Sequence, residues 1–313
     1  MTQRKITYLP PKPASRGFTL MEFLVAGALG MIVLVAATSG YTAMRNMNQA
    51  ANARAAVQQD VRRAAALLAQ DARQAGAFGC FDTAKAVRGD VLEDSAPDHA
   101  QALTAAGQAG VQPVKVLGSA AALGISGFSS SGSVLVFQYG TPSGTLYAPG
   151  QDVAAGAALY SSCRYLFRPS ENLPNAAAIR AALRLADTRA DGEVSVMRYT
   201  PAAYAVGSLN GEQGLYRFGL DDNGRWGSPQ LLVANAASWS LAYLYVENCP
   251  AGSNPSETFV YTATANPART PALIRISLNG GNIASEAGGI GIVDVPAIEV
   301  GIKGGNACAN RVW

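Results

Sequence analysis

From Phe18 to Ala37 the chain reads FTLMEFLVAGALGMIVLVAA, twenty residues with one charge, Glu22. At ~1.5 Å per residue this run makes about 30 Å of helix, the thickness of a bilayer's hydrocarbon core. Beyond Gly40 the composition turns to Ala, Gln, Asn and Arg, and the apolar residues become periodic. Val57, Val61, Ala64 and Leu68 recur at spacings of four, three and four, one face of a 3.6-residue helix. Arg54, Arg62, Arg63, Asp71 and Arg73 fill the remaining positions and read as its polar side. No proline interrupts the chain between Phe18 and Asp94. The pattern predicts one long helix over 18–76, transmembrane over about 18–37, with Gly76 and Gly79 supplying the left-handed positions that stop it.

Past Cys80 the pattern changes. Residues 83–112 are rich in Ala, Gly and Asp and read as loop with one short helix at most. Short apolar runs then alternate with turn signals such as Asn210-Gly211, Asp222-Asn223-Gly224 and Asn279-Gly280-Gly281. The runs predict strands at 134–139, 159–167, 194–199, 214–219, 230–233, 239–246, 258–262, 273–278 and 293–300. Ala176–Ala186 reads as a short helix. A long N-terminal helix followed by hairpin-spaced strands predicts an α+β fold with antiparallel sheets, residues 77–313 forming a β-rich domain with room for two subdomains.

Charge adds a direction. The formal net charge is +3, yet Arg4, Lys5, Lys12 and Arg16 all precede the apolar run with no acid among them. The rest of the chain is neutral to within one charge, so no nucleic-acid footprint is expected. Basic residues ahead of a membrane helix stay cytoplasmic and place the C-terminal bulk on the other side. A cleaved secretory signal, cut near Ala36, Ala37 or Ser39, is an alternative reading of the same run.

Candidate chemistry is sparse. The single histidine, His99, lies in the polar stretch APDHAQ, which argues against histidine-based hydrolysis and most zinc sites. Asp221-Asp222-Asn223-Gly224 and the set Asp187, Asp191 and Glu193 miss the spacing of a calcium loop. Gly288-Gly289-Ile290-Gly291 precedes a strand rather than opening a helix, so it is no phosphate loop. No catalytic residue, metal or cofactor is expected. Cys80, Cys163, Cys249 and Cys308 contain no C-x-x-C pair and follow the membrane segment, where an even count reads as two disulfides. Three pairings are open; Cys80–Cys163 with Cys249–Cys308 is preferred because the second pair would pin the C-terminus.

Glu22 needs a reason. A carboxylate in an apolar membrane helix costs a few kcal/mol, and such residues are functional by default. A chain cut between Gly17 and Phe18 acquires an α-amino group, and the amine of one subunit then meets the Glu22 of a neighbour and sets the axial register.

The order Arg16-Gly17-Phe18-Thr19-Leu20-Met21-Glu22-Phe23 resembles the type IV prepilin signature: a basic leader ending in Gly, a Phe, a Thr-Leu pair, and Glu at the fifth mature position. The helix end, Asp71, Arg73, Ala75, Gly76, Gly79 and Cys80, is similar to that of PilW-type minor pilins. GLYRFGLDDNGRW, QLLVANAASWSLAYLYVE and ALIRISL are similar, more weakly, to that family's later strands. The resemblance implies a pilin-like fold, removal of the leader 1–17 by prepilin peptidase after Gly17, N-methylation of Phe18, and a role for Glu22 in assembly. It implies a subunit held in the inner membrane with its domain in the periplasm, then incorporated at low copy at the pilus tip to prime assembly. Its implied partners are the major pilin, other minor pilins, the inner-membrane assembly platform and a large tip adhesin, in pili that serve adhesion and twitching motility. A pseudopilin of type II secretion or DNA uptake would carry the same signature. A single-pass periplasmic enzyme or binding protein, with Glu22 incidental, is the reading of a different class.

Overall fold

The computed structural model describes residues 17–83, 86, 88–96, 99–104, 110–142, 157–170, 173, 175–185, 194–221, 224–247, 258–267, 269–280, 297–302 and 305. They fall into two compact units, residues 1–51 and 52–313.

The first unit is the leading part of helix α1, Leu20–Gln74. This part is apolar with a mean hydropathy of 2.3 over its best window, and none of that window is buried. It is long and apolar enough to cross a membrane.

The second unit begins with the rest of α1. Val61, Ala64, Leu68, Asp71 and Ala72 are buried there, so the predicted stripe Val57-Val61-Ala64-Leu68 is the packed face. Among the described residues fifteen strands follow, with a second helix, α2, at Ala176–Ala182. In one sheet, β1 (Val91–Asp94), β5 (Gly140–Pro142), β6 (Ala158–Ser161), β7 (Leu166–Arg168) and β8 (Ser195–Tyr199) take the order β1-β7-β6-β8-β5. The largest sheet orders β11 (Trp226–Ala234), β10 (Glu212–Leu220), β9 (Ala202–Leu209), β4 (Val134–Phe137) and β2 (Val114–Leu117), with β3 (Phe128–Ser130) also paired to β9. The third runs β13 (Thr258–Thr262), β12 (Ala236–Glu247), β14 (Leu273–Gly280), β15 (Ile298–Gly301). Among the described strands every pairing is antiparallel except β1 with β7, as expected for an α+β chain of hairpins.

The largest sheet is apolar on both faces. Leu135, Phe137, Ala202, Tyr204, Val206 and Leu215 face the α1 stripe, and Trp239, Tyr243, Ile274 and Ile276 of the third sheet complete that core. Val134, Val136, Ala203, Ala205, Tyr216 and Phe218 face the other way, against Leu117, Ala120 and Leu123. A strand covered on both sides carries no polar alternation, which is why β9, in PAAYAVGSL, is absent from the predicted strands. The expected single strand over 159–167 is a hairpin: Ser162 Oγ accepts from the amides of Arg164 (3.3 Å) and Tyr165 (2.9 Å) and turns the chain between β6 and β7.

The C-terminus of α1 is stitched to this scaffold. Gly76 and Gly79 adopt φ of +79° and +69°, the left-handed conformation their sequence positions anticipate. At Gly79 a Cβ would lie 2.6 Å from Ser195 Oγ, so space as well as conformation demands glycine. The Gly76 amide donates to Gln138 O (2.8 Å), and the Gly140 amide donates to Ala77 O (3.0 Å). Cys80 and Cys163 form a disulfide with Cα atoms 4.6 Å apart, tying the turn after α1 to the tip of the β6–β7 hairpin. A bridge closing a loop of this length stabilises a domain by ~2–4 kcal/mol.

Candidate functional site

Two places on α1 carry charge in apolar surroundings: its N-terminus and its last turns. At the N-terminus, Thr19 caps the helix. The Glu22 amide donates to Thr19 Oγ1 (3.3 Å), and the Thr19 amide donates to Glu22 Oε2 (3.1 Å). The hydroxyl of Thr19 lies 3.2 Å from the same oxygen. This T-x-x-E arrangement is a reciprocal capping box, satisfying two amides that would otherwise lack partners, and it places a carboxylate at the positive end of the helix dipole. Sequence reasoning assigned Glu22 a partner on a neighbouring chain and missed this local one, although Thr19 followed three residues later by Glu is its signature.

The surface beyond the cap is apolar and bare. Among the described residues, fifteen of the seventeen exposed large hydrophobic side chains lie between Phe18 and Met47. Phe18 itself is 83% exposed. Each such side chain gains roughly 1.5–3 kcal/mol on burial, so a segment this long needs lipid or other helices around it. Gly27 and Gly30 leave gaps in which an added Cβ would meet nothing within 4 Å, flat places for a close neighbour.

In the last turns, Asp71 is 3% exposed and sits on the packed face of α1. This corrects the expectation that Asp71 belongs to the polar side with Arg54, Arg62, Arg63 and Arg73. Three partners converge on it. Tyr139 donates to Oδ1 (2.8 Å), Tyr204 donates to Oδ2 (2.5 Å), and Arg217 brings Nε to Oδ2 (2.8 Å) and Nη2 to Oδ1 (3.3 Å). Arg217 Nε also lies 3.2 Å from the Tyr204 oxygen. The carboxylate is thus buried and fully coordinated, the condition under which a buried ion pair is tolerated. Burial pushes the Tyr139 and Tyr204 phenols well up, and the negative charge of Asp71 pushes them further. Burial pushes the Arg217 guanidinium down, but its hydrogen bonds to Asp71 and the charge of that carboxylate override this and raise it.

The raised phenols make stability pH-dependent at the alkaline end. Both stay neutral in the folded state above pH ~10, where unfolded tyrosines ionise. Their contribution is whole below pH ~10 and is lost as pH rises through the folded values. Each is expected to remove about 1 kcal/mol per pH unit above 10. Thermal melts from pH 9 to 11 should show this fall, and the Tyr139→Phe/Tyr204→Phe variant should make it shallower, the rest coming from other buried phenols such as Tyr243; a variant curve as steep as the wild-type one would contradict it.

The remaining predicted residues are scattered. Gly17 and Phe18 are exposed ahead of the cap. The backbone of His99 opens a short 3-10 turn, His99–Gln101. Asp221 Oδ1 accepts from the Arg225 amide (2.8 Å), a turn role. Trp226, Trp239, Tyr243 and Tyr245 are buried and pack into the cores. Cys249, Cys308, Asp187, Asp191, Glu193, Asp222, Asn223, Gly288–Gly291 and the leader before Gly17 lie outside the described residues. No protein-family model matches the chain, and neither the curated proteins nor the solved structures contain a match.

Proposed function

We propose that this chain is a minor pilin, similar to the PilW group, whose chemistry is assembly rather than catalysis. The observation that carries the reading is the junction at residues 16–23. Arg16-Gly17-Phe18 leads directly into a capped helix whose first charge is Glu22 and whose apolar surface is unburied. In this reading the leader is removed after Gly17 by prepilin peptidase, Phe18 is methylated, and the domain stands in the periplasm on a single membrane helix. The helix then leaves the bilayer for the core of a filament, where lipid is exchanged for the helices of the major pilin and other minor pilins. Glu22 retains its capping role and pairs with the Phe18 amine of a neighbour, since Oε1 takes no part in the capping bonds. The β-rich unit is presented at the filament tip, available to an adhesin. Buried charge on Asp71 and a disulfide at Cys80–Cys163 suit this load by fastening the helix end to the domain.

Deleting the chain tests the priming role. Surface filaments should fall several-fold in number and return on complementation, with the chain itself present in sheared filaments only in trace. Unchanged filament counts together with absence from sheared material would overturn the reading and favour a secretion pseudopilin.

A further inference from the structure

Among the described residues the three sheet orders end in β1 and β5, β2 and β11, and β13 and β15, and β3, off these orders, has only three residues. A sheet edge offers unpaired backbone N–H and C=O groups to any passing strand, and proteins blunt such edges with proline, charge or a bulge. Five of these six end strands carry such a device. β1 holds Glu93 and Asp94, β2 holds Lys115, β5 holds Pro142, β11 holds Pro229, and β15 holds Glu299. The sixth, β13, reads Thr258-Phe259-Val260-Tyr261-Thr262, with neither charge nor proline. It pairs with β12 in unbroken register over its whole length, so no bulge bends the outer edge away. Phe259 and Tyr261 are 54% and 49% exposed, the two large hydrophobic side chains left bare beyond Met47 among the described residues. They stand two apart on one face of the strand, and Val260 between them points to the other.

β13 is also self-complementary. Read in either direction it runs Thr, aromatic, Val, aromatic, Thr. We infer that β13 pairs antiparallel with β13 of a second copy of this chain, about a two-fold axis at Val260. Phe259 of each copy then lies opposite Tyr261 of the other, Thr258 opposite Thr262, and Val260 opposite its own equivalent. Aromatic and threonine pairs are favourable cross-strand partners, and an uncharged strand sets no like charges against each other. The contact is isologous, so it closes on a pair of chains and does not propagate. Nearby charge is matched within each copy. Arg275, 5.0 Å from the Tyr261 ring centre, donates to Glu299 at 2.7 Å, and Glu247 lies 3.4 Å from Arg269. Main-chain bonds supply the attachment, and the aromatic face fixes the register. The inference rests on β13 alone and is independent of the pilin reading.

Cysteine cross-linking of the full chain in isolated membranes tests it. Cα atoms directly opposite in an antiparallel pair are about 4.5–5.5 Å apart, within reach of a disulfide. Val260→Cys should therefore give a covalent dimer under mild oxidation, several-fold above the wild-type chain treated in parallel. A chain carrying both Thr258→Cys and Thr262→Cys should dimerise likewise, whereas either change alone should stay at the wild-type level. This second design reads the same register if Val260→Cys does not accumulate. Adding Phe259→Lys and Tyr261→Lys to Val260→Cys sets like charges opposite each other and should return the yield to background. Dimers absent from both cysteine designs, or undiminished by the lysines, would overturn the inference. A covalent product with a different protein would also overturn it and would assign the edge to a strand of that protein.

Discussion

Replacing Asp71 by alanine is expected to cost the β-rich unit about 3–5 kcal/mol. The cause is what remains behind. Arg217, partly buried, keeps a charge with no counterion, and the buried phenols of Tyr139 and Tyr204 lose their acceptor. Single domains hold only about 5–15 kcal/mol in total, so the last turns of α1 should come loose well before the sheets do. The Cys80–Cys163 bridge still ties the chain just past those turns to the β6–β7 hairpin, so the loosening is confined to the turns themselves. Denaturant unfolding of the solubilised chain, with hydrogen exchange read at residues 61–74, checks both parts. Adding Arg217→Ala to Asp71→Ala should cost less than Arg217→Ala alone, because the uncompensated guanidinium is then gone. A loss below about 1 kcal/mol for Asp71→Ala would mean that the cluster is not the anchor.

Glu22→Ala and Glu22→Gln separate the two roles of that carboxylate. Glutamine still accepts the Thr19 amide and completes a capping box, so the helix start survives, whereas alanine removes a cap worth about 1 kcal/mol. Neither change should detach the chain from the membrane, since the apolar run is untouched. If charge pairing with a neighbouring amine drives assembly, both variants should drop out of filaments together. Losing one partner of a buried pair costs about 3–5 kcal/mol, at least roughly a hundredfold in incorporation. Quantitative immunoblots of sheared filaments against membranes measure the ratio. Wild-type incorporation of Glu22→Gln would reduce Glu22 to a cap and remove the register argument.

The long helix was legible because its signal is long: twenty apolar residues, then a periodic stripe, then two glycines. The stripe also held the information that Asp71 is buried, since it lies seven residues past Ala64 and three past Leu68. Charge type outweighed position in that reading. Its partners were not legible at all, because Tyr139, Tyr204 and Arg217 lie 68, 133 and 146 residues away and meet only through the sheets. Among the strands, the half-buried β12 with its aromatic residues was found, while the doubly buried, alanine-rich β9 and the three-residue β3 and β5 were not. A strand with no polar face or only three residues shows no period to read.

The central claim is that the mature chain begins at Phe18. Mass analysis of its N-terminal peptide, from sheared surface filaments and from inner membranes separately, addresses that claim most directly. The account expects N-methyl-Phe18 in both fractions, with far less chain than main subunit in the filaments. A chain still beginning at Met1, or one cut near Ala37, would contradict it.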